Sequence, residues 1–243
     1  MTRLVLIIFF FAYSLHAENF KVLAFSKTGL RENGKKGYRH KCIEPGLKAL
    51  EKLGKENGFE VTASENSEDF TTENLKKYKA VIFFHCTQKV FTEDQKQALK
   101  SFVLGGGGFV GIHAATTTEY NWPWFGKLIG ARFDNHPKIQ KAELLVKDKD
   151  HPSTAHLPDK WVRTDEWYNF KELSTEIKPL IFINEKSYKG GKHGENHPMA
   201  WYLIHEKGRS FYTALGHTDA SYKEDAFMKH ILGGILWAAG EKN

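Results

Sequence analysis

Two histidines in this chain follow apolar runs in positions that would expose a side chain. Gly105-Gly106-Gly107-Gly108 leads into Phe109-Val110-Gly111-Ile112, and His113-Ala114-Ala115 comes next. Phe211-Tyr212-Thr213-Ala214-Leu215 passes through Gly216 to His217. In an open α/β sheet, ligands bind beyond the carboxyl ends of the strands. A side chain on a tight strand-to-helix turn there faces the cleft, and small neighbours let a ligand come close. Enzymes that use a nucleophile at such an elbow place Ser or Cys in it. Histidine offers a general base or a metal ligand instead, because neutral imidazole suits both roles. The structural alternative at each position is an imidazole bonded to backbone in a packed turn.

Further candidates cluster around the same predicted edge. Tyr38-Arg39-His40 opens the first predicted helix, where Arg39 could hold a hydroxyl or carboxylate through its planar fork. His85 ends the third predicted strand, next to Cys86. Asp165 and Glu166 are adjacent, so in an extended segment at most one faces the cleft. Glu166 is the preferred one, as proton acceptor or ligand, and burial beside aromatics would raise its pKa. Tyr168 could hold a substrate hydroxyl, and Trp122 of Trp122-Pro123-Trp124 could form an aromatic wall for a sugar. No His-Glu-x-x-His occurs. Even so, strand-end topology could bring His40, His113 and His217 together with a carboxylate, a set suited to zinc or a similar divalent ion.

The elements that must carry these residues alternate through the first half. Val22 to Phe25 reads as a strand, and His40 to Glu56 as a helix with Ile43, Leu47, Leu50 and Leu53 at helical spacing. Strands follow at Phe59 to Thr62, Lys79 to Phe84 and Phe109 to Ile112, and Thr92-Glu93-Asp94-Gln95 matches a capping box. Continuously apolar strands point to a parallel sheet buried on both faces, with right-handed crossovers. Residues 120–178 form a long irregular stretch, with a strand at Ile139 to Val146. Further strands are expected at Leu180 to Asn184, Met199 to Ile204 and Ser210 to Ala214, then a helix from Glu224 to Ala239. The His-Pro steps at 136, 151 and 197 mark strand entries or loop corners.

Residues 1–17 have the form of a secretory signal: Arg3, an apolar run from Leu4 to Phe11, and Ala17 before Glu18. The run is too short for a membrane anchor, so an exported protein without an anchor after cleavage is expected, periplasmic or extracellular. Residues 18–243 read as one domain. The net charge of +6 is spread over lysines interleaved with Glu and Asp, which does not form a nucleic-acid footprint. Two cysteines, Cys42 and Cys86, are too few for a disulfide framework. Both fall near one sheet edge, so a single bridge is geometrically possible, but two inert half-buried thiols are the favoured expectation.

In order and spacing, the five segments Tyr38-Arg39-His40, Gly107 to Ala115, Asp165 to Tyr168, His197-Pro198-Met199-Ala200-Trp201 and Gly208 to Thr218 resemble the ThuA-like (trehalose utilisation) family. The resemblance implies an α/β, flavodoxin-like fold of the class I glutamine amidotransferase-like type, a mostly parallel sheet with helices on both faces. It also implies use of trehalose or related, oxidised disaccharides. The wider superfamily carries a nucleophilic cysteine at the elbow where this chain has His113, which argues against glutamine hydrolysis by that route. The expected activity is hydrolysis or elimination on a small carbohydrate by His/carboxylate acid–base chemistry, with or without a metal. The alternatives are a non-catalytic carbohydrate-binding protein on the same scaffold, and an amidase using Cys86.

Overall fold

Apolar runs alternating with amphipathic ones fold into alternating strands and helices. The computed structural model describes residues 19–241, so the signal expected over 1–17 lies outside the described residues. In chain order come β1 (Phe20–Phe25), α1 (Ile43–Glu56), β2 (Phe59–Ser64), α2 (Thr72–Leu75), β3 (Ala80–Phe84), α3 (Glu93–Leu104) and β4 (Gly108–Ile112). The second half adds α4 (Pro123–Ile129), β5 (Arg132–Asn135), β6 (Gln140–Val146), β7 (Lys160–Asp165) and β8 (Asn169–Lys171). It closes with β9 (Lys178–Ile183), β10 (Pro198–His205), β11 (Gly208–Thr213) and α5 (Asp225–Ala239).

The main sheet runs β2-β1-β3-β4-β11-β10-β9-β6-β7. Its first five strands are parallel, the flavodoxin-like core. The last four continue it antiparallel, and β5 pairs with β8 apart from it. Successive residues of β3 show how both faces are covered. Phe83 packs on Phe125 of α4 at 5.4 Å between ring centres, and Phe84 packs on Tyr222 at 5.4 Å. Gly46 of α1 sits so close to Phe84 that a Cβ there would lie 2.4 Å from the ring. Every residue of β3 and β4 is buried, as expected of parallel strands covered on both faces. The capping box at Thr92 and Gln95 is formed in full.

Three sequence expectations are corrected. The first helix starts at Ile43, with Cys42 as N-cap, and leaves His40 in the preceding loop. Pro45 explains this: it lacks an N–H and its ring would clash with the carbonyl of Lys41 if the helix reached back that far. The glycine tract is not part of the His113 turn. Gly105 caps α3 and Gly108 opens β4, so the tract lies at the opposite end of the strand. A Cβ on Gly108 would stand 2.4 Å from the Ala238 carbonyl oxygen, so the bulk excluded there is that of α5. The stretch 120–178 is more regular than expected and also contains α4, β5, β7 and β8.

Candidate metal centre

β4 ends at Ile112, and His113 turns the chain into a short 3-10 helix with φ of 50°. This left-handed conformation is sterically costly for a residue with a Cβ, and it points the imidazole back over the sheet edge. The Nδ1–H of His113 donates to the Ala214 carbonyl at 2.7 Å. That bond fixes the tautomer and leaves Nε2 as an acceptor. Nε2 stands 3.1 Å from His217 Nδ1 and 3.4 Å from Glu166 Oε2, and His217 Nδ1 lies 3.2 Å from the same oxygen. With both rings neutral, only His217 could bring a hydrogen into this triangle; a proton on His113 Nε2 or a cation would separate the converging lone pairs.

His40 closes the group. Its ring centre is 5.1 Å from those of both His113 and His217, nearly edge-on to each. One ligand atom from each of His40, His113, Glu166 and His217 falls within 4.8 Å of all the others. Zinc bonded at about 2.1 Å holds tetrahedral ligand atoms about 3.4 Å apart. The His113–His217–Glu166 triangle already has the edges of such a face. His40 Nδ1 is buried without a hydrogen-bond partner among the described residues, so it could serve as a ligand atom.

The electrostatics follow from burial and proximity. Burial drives the His40 pKa down to about 2, with His113 and His217 adding to the effect. Burial raises the Glu166 carboxyl, but hydrogen bonds and charge from His113 and His217 outweigh it and hold the pKa below the usual carboxylate range. The raised Glu166 pKa expected from sequence is therefore corrected, because imidazoles rather than aromatic rings surround the carboxylate. Burial lowers His217, and Glu166 more than reverses this, leaving its pKa raised.

Neighbouring groups hold the four in place. Asp165 accepts the backbone N–H of Gly216 at 2.8 Å and of His217 at 3.0 Å, and thereby sets the His217 loop. Gly216 has φ of 106°, and a Cβ there would come within 2.9 Å of both Phe227 and the Tyr222 hydroxyl, so only glycine fits this turn. Tyr168 lies over His113 at 4.2 Å between ring centres. His85 is a step behind, fully buried, with Nε2 2.7 Å from the Tyr222 hydroxyl. Its pKa is pushed well below the ordinary value by burial, then by His113 and His40.

A family model described as trehalose utilisation, ThuA, matches residues 21–238. The chain belongs to the ThuA family. Two solved ThuA-like structures share its fold. A putative ThuA-like protein from Bacteroides uniformis ATCC 8492 superposes with a TM-score of 0.75 at 23% identity, covering 94% of this chain and 95% of that one. Another, from Parabacteroides merdae ATCC 43184, gives 0.73 at 19% identity, covering 92% and 91%. A β-galactosidase from Bacillus circulans sp. alkalophilus gives 0.59 at 15% identity, over 93% of this chain and 32% of that one; the likeness is one of fold. A comparison with curated protein sequences gives no match.

The ThuA-family fold brings together His40, His113, Glu166, His217 and Tyr168, with Asp165 and His85 supporting them. Two residues singled out in the sequence sit elsewhere. Arg39 forms an exposed pair with Glu65 at 2.6 Å. The Trp122 ring packs with Trp124 and Phe125 and shows no ring contact with the histidines. Both cysteines are free and buried. Cys86 donates to the Phe25 carbonyl at 2.9 Å, burial raises its pKa well above the ordinary value, and His85 turns instead toward Cys42 at 3.5 Å. The sequence adjacency that suggested a Cys86 amidase is therefore not a spatial pairing.

One site residue escaped sequence reasoning. His136, just beyond β5, is half-exposed, with Nδ1 3.1 Å from Glu166 Oε1. Its only sequence signal was the His136-Pro137 step, which marks a corner and not a partner.

Proposed function

We propose that this ThuA-family protein is an exported, metal-dependent enzyme that cleaves a small carbohydrate, a disaccharide or its keto form, by hydrolysis or elimination. The observation that carries the reading is the convergence of His113 Nε2, His217 Nδ1 and Glu166 Oε2 within 3.1–3.4 Å, with His40 beside them. A divalent cation held by these four side chains would supply Lewis acidity toward a carbonyl or hydroxyl oxygen. Glu166 has a second oxygen facing His136, so this half-exposed imidazole is placed to take up or deliver a proton at the open side of the site. Tyr168 covers His113 and helps keep that side of the cluster dry. Export rests on the charged, apolar and small-residue pattern of residues 1–17.

Metal content of the purified mature protein tests this reading, alongside His113→Ala and His217→Ala. The expected result is a stoichiometric divalent metal in the parent protein, lost from both variants. Product formation from trehalose and its keto derivative, followed by chromatography, should fall at least about 100-fold in each variant. A metal-free parent that no supplementation loads would overturn the metal reading. Unchanged product formation in His113→Ala would overturn the catalytic one.

A further inference from the structure

Among the described residues six non-glycine residues have positive φ, and five of them lie at two places. His85 and His113 belong to the cluster, Gln88, Glu119 and Glu172 line a separate cleft, and only Glu206 lies elsewhere. Such conformations persist where surrounding structure enforces them, and they collect at binding and active sites. The cleft has a volume of about 1100 Å3 and lies between the 30–34 turn, residues 88–89, 119–121 and 171–172. Its walls connect to the cluster by short segments. Gln88 is three residues beyond His85, Glu119 follows the helical turn that His113 opens, and Gln88 and Glu119 exchange backbone hydrogen bonds with this connection.

The floor is rigid. Glu119 is buried, with Oε1 accepting the Val90 and Phe91 N–H groups at 2.7 and 2.9 Å and Oε2 lying 3.4 Å from Lys96 Nζ. The walls carry donors and acceptors of both signs, and at one point they meet: the Asn121 amide donates to Glu32 at 2.7 Å. Arg31, Lys89, Lys96 and Lys171 line the cleft together with Glu32, Glu119 and Glu172, so no strong single-sign field selects an anion. Donors and acceptors side by side in a wide cleft suit hydroxyl groups, each of which both gives and accepts.

We propose that this cleft is a binding site for a neutral saccharide beside the histidine cluster, the place where a non-reacting sugar unit is held. The proposal rests on the reading that the cluster acts on carbohydrate. Calorimetric titration of trehalose, maltose and glucose into the metal-loaded mature protein tests it, with Asn121→Ala and Glu172→Gly compared against the parent. Glycine accepts the φ of 52° at position 172, so this variant removes the carboxylate without a folding penalty. The expected result is saturable binding of at least one probe, weakened about tenfold in each variant, as for the loss of one hydrogen bond to a charged group. Thermal midpoint should not fall, and metal content should stay at the parental level. Saturable binding unchanged in both variants, or no binding of any probe by protein that holds its metal, would overturn the cleft assignment alone. A protein that lacks metal yet binds sugar in a variant-sensitive way would overturn the metal reading and leave the cleft standing.

Discussion

Asp165 and Glu166 are neighbours with separate tasks. Glu166 meets the imidazoles directly, while Asp165 spends its oxygens on the N–H groups of Gly216, His217 and Glu166 and on Arg163 at 3.2 Å. Asp165→Asn keeps the shape but turns one oxygen into a donor that faces other donors. Metal affinity of the variant, read by chelator competition, should fall about 10- to 100-fold, as for loss of an outer-shell partner; unchanged affinity would remove the positioning role. At this scale the sequence was partly legible. His40, His113 and His217 could be placed together because each follows or adjoins a strand end, and the position of a strand end is readable. Asp165 as a backbone clamp, His136 as a fifth imidazole and the outward pairing of Arg39 depend on distances between loops, about which local pattern is silent.

The parallel half was legible element by element, because its strands are uninterrupted apolar runs and its helices carry amphipathic stripes and caps. β7 shows where such reading stops. Its buried residues are Trp161, Arg163 and Asp165, while Val162 between them is half-exposed. The alternation is present, but two of the three inward residues are charged: Arg163 pairs with Asp165 and lies over the Trp161 and Phe227 rings. Strain can also be tested at this scale. Glu206 has φ of 52° in the tight turn between β10 and β11, away from both proposed sites. Glu206→Gly should raise stability by about 0.5–1 kcal/mol in urea melts, because hairpin turns of this kind favour glycine. A lowered midpoint would show that the turn is held for a reason other than geometry.

Across the whole molecule, buried neutral histidines set the response to acid. Burial pushes His151 down to about 4 and His230 to about 3, against about 6.5 in an unfolded chain. The unfolded state therefore takes up protons first. Stability is complete above pH ~6.5 and declines as pH falls toward these folded-state values. Denaturation midpoints of chelator-treated protein between pH 7.5 and 4.5 should show this decline, with metal loss making no contribution; a flat profile would contradict it.

β7 is the outermost strand of the antiparallel limb, yet Arg163 reaches Ser221 at 2.8 Å and Trp161 reaches Glu224 at 2.9 Å. The far edge of the sheet thus bends back over the start of α5 to meet the loop that carries His217. The antiparallel limb thus hooks back onto the parallel half, and its tip carries Asp165 and Glu166 to the candidate metal site. Such long-range closure forms only after the intervening loops have been ordered. A chain whose antiparallel limb has not yet docked can gather three imidazoles from its parallel half but lacks the acid that completes them. A cation held as proposed would thereby be captured tightly only by molecules whose limb has docked, and would in turn lock that docking.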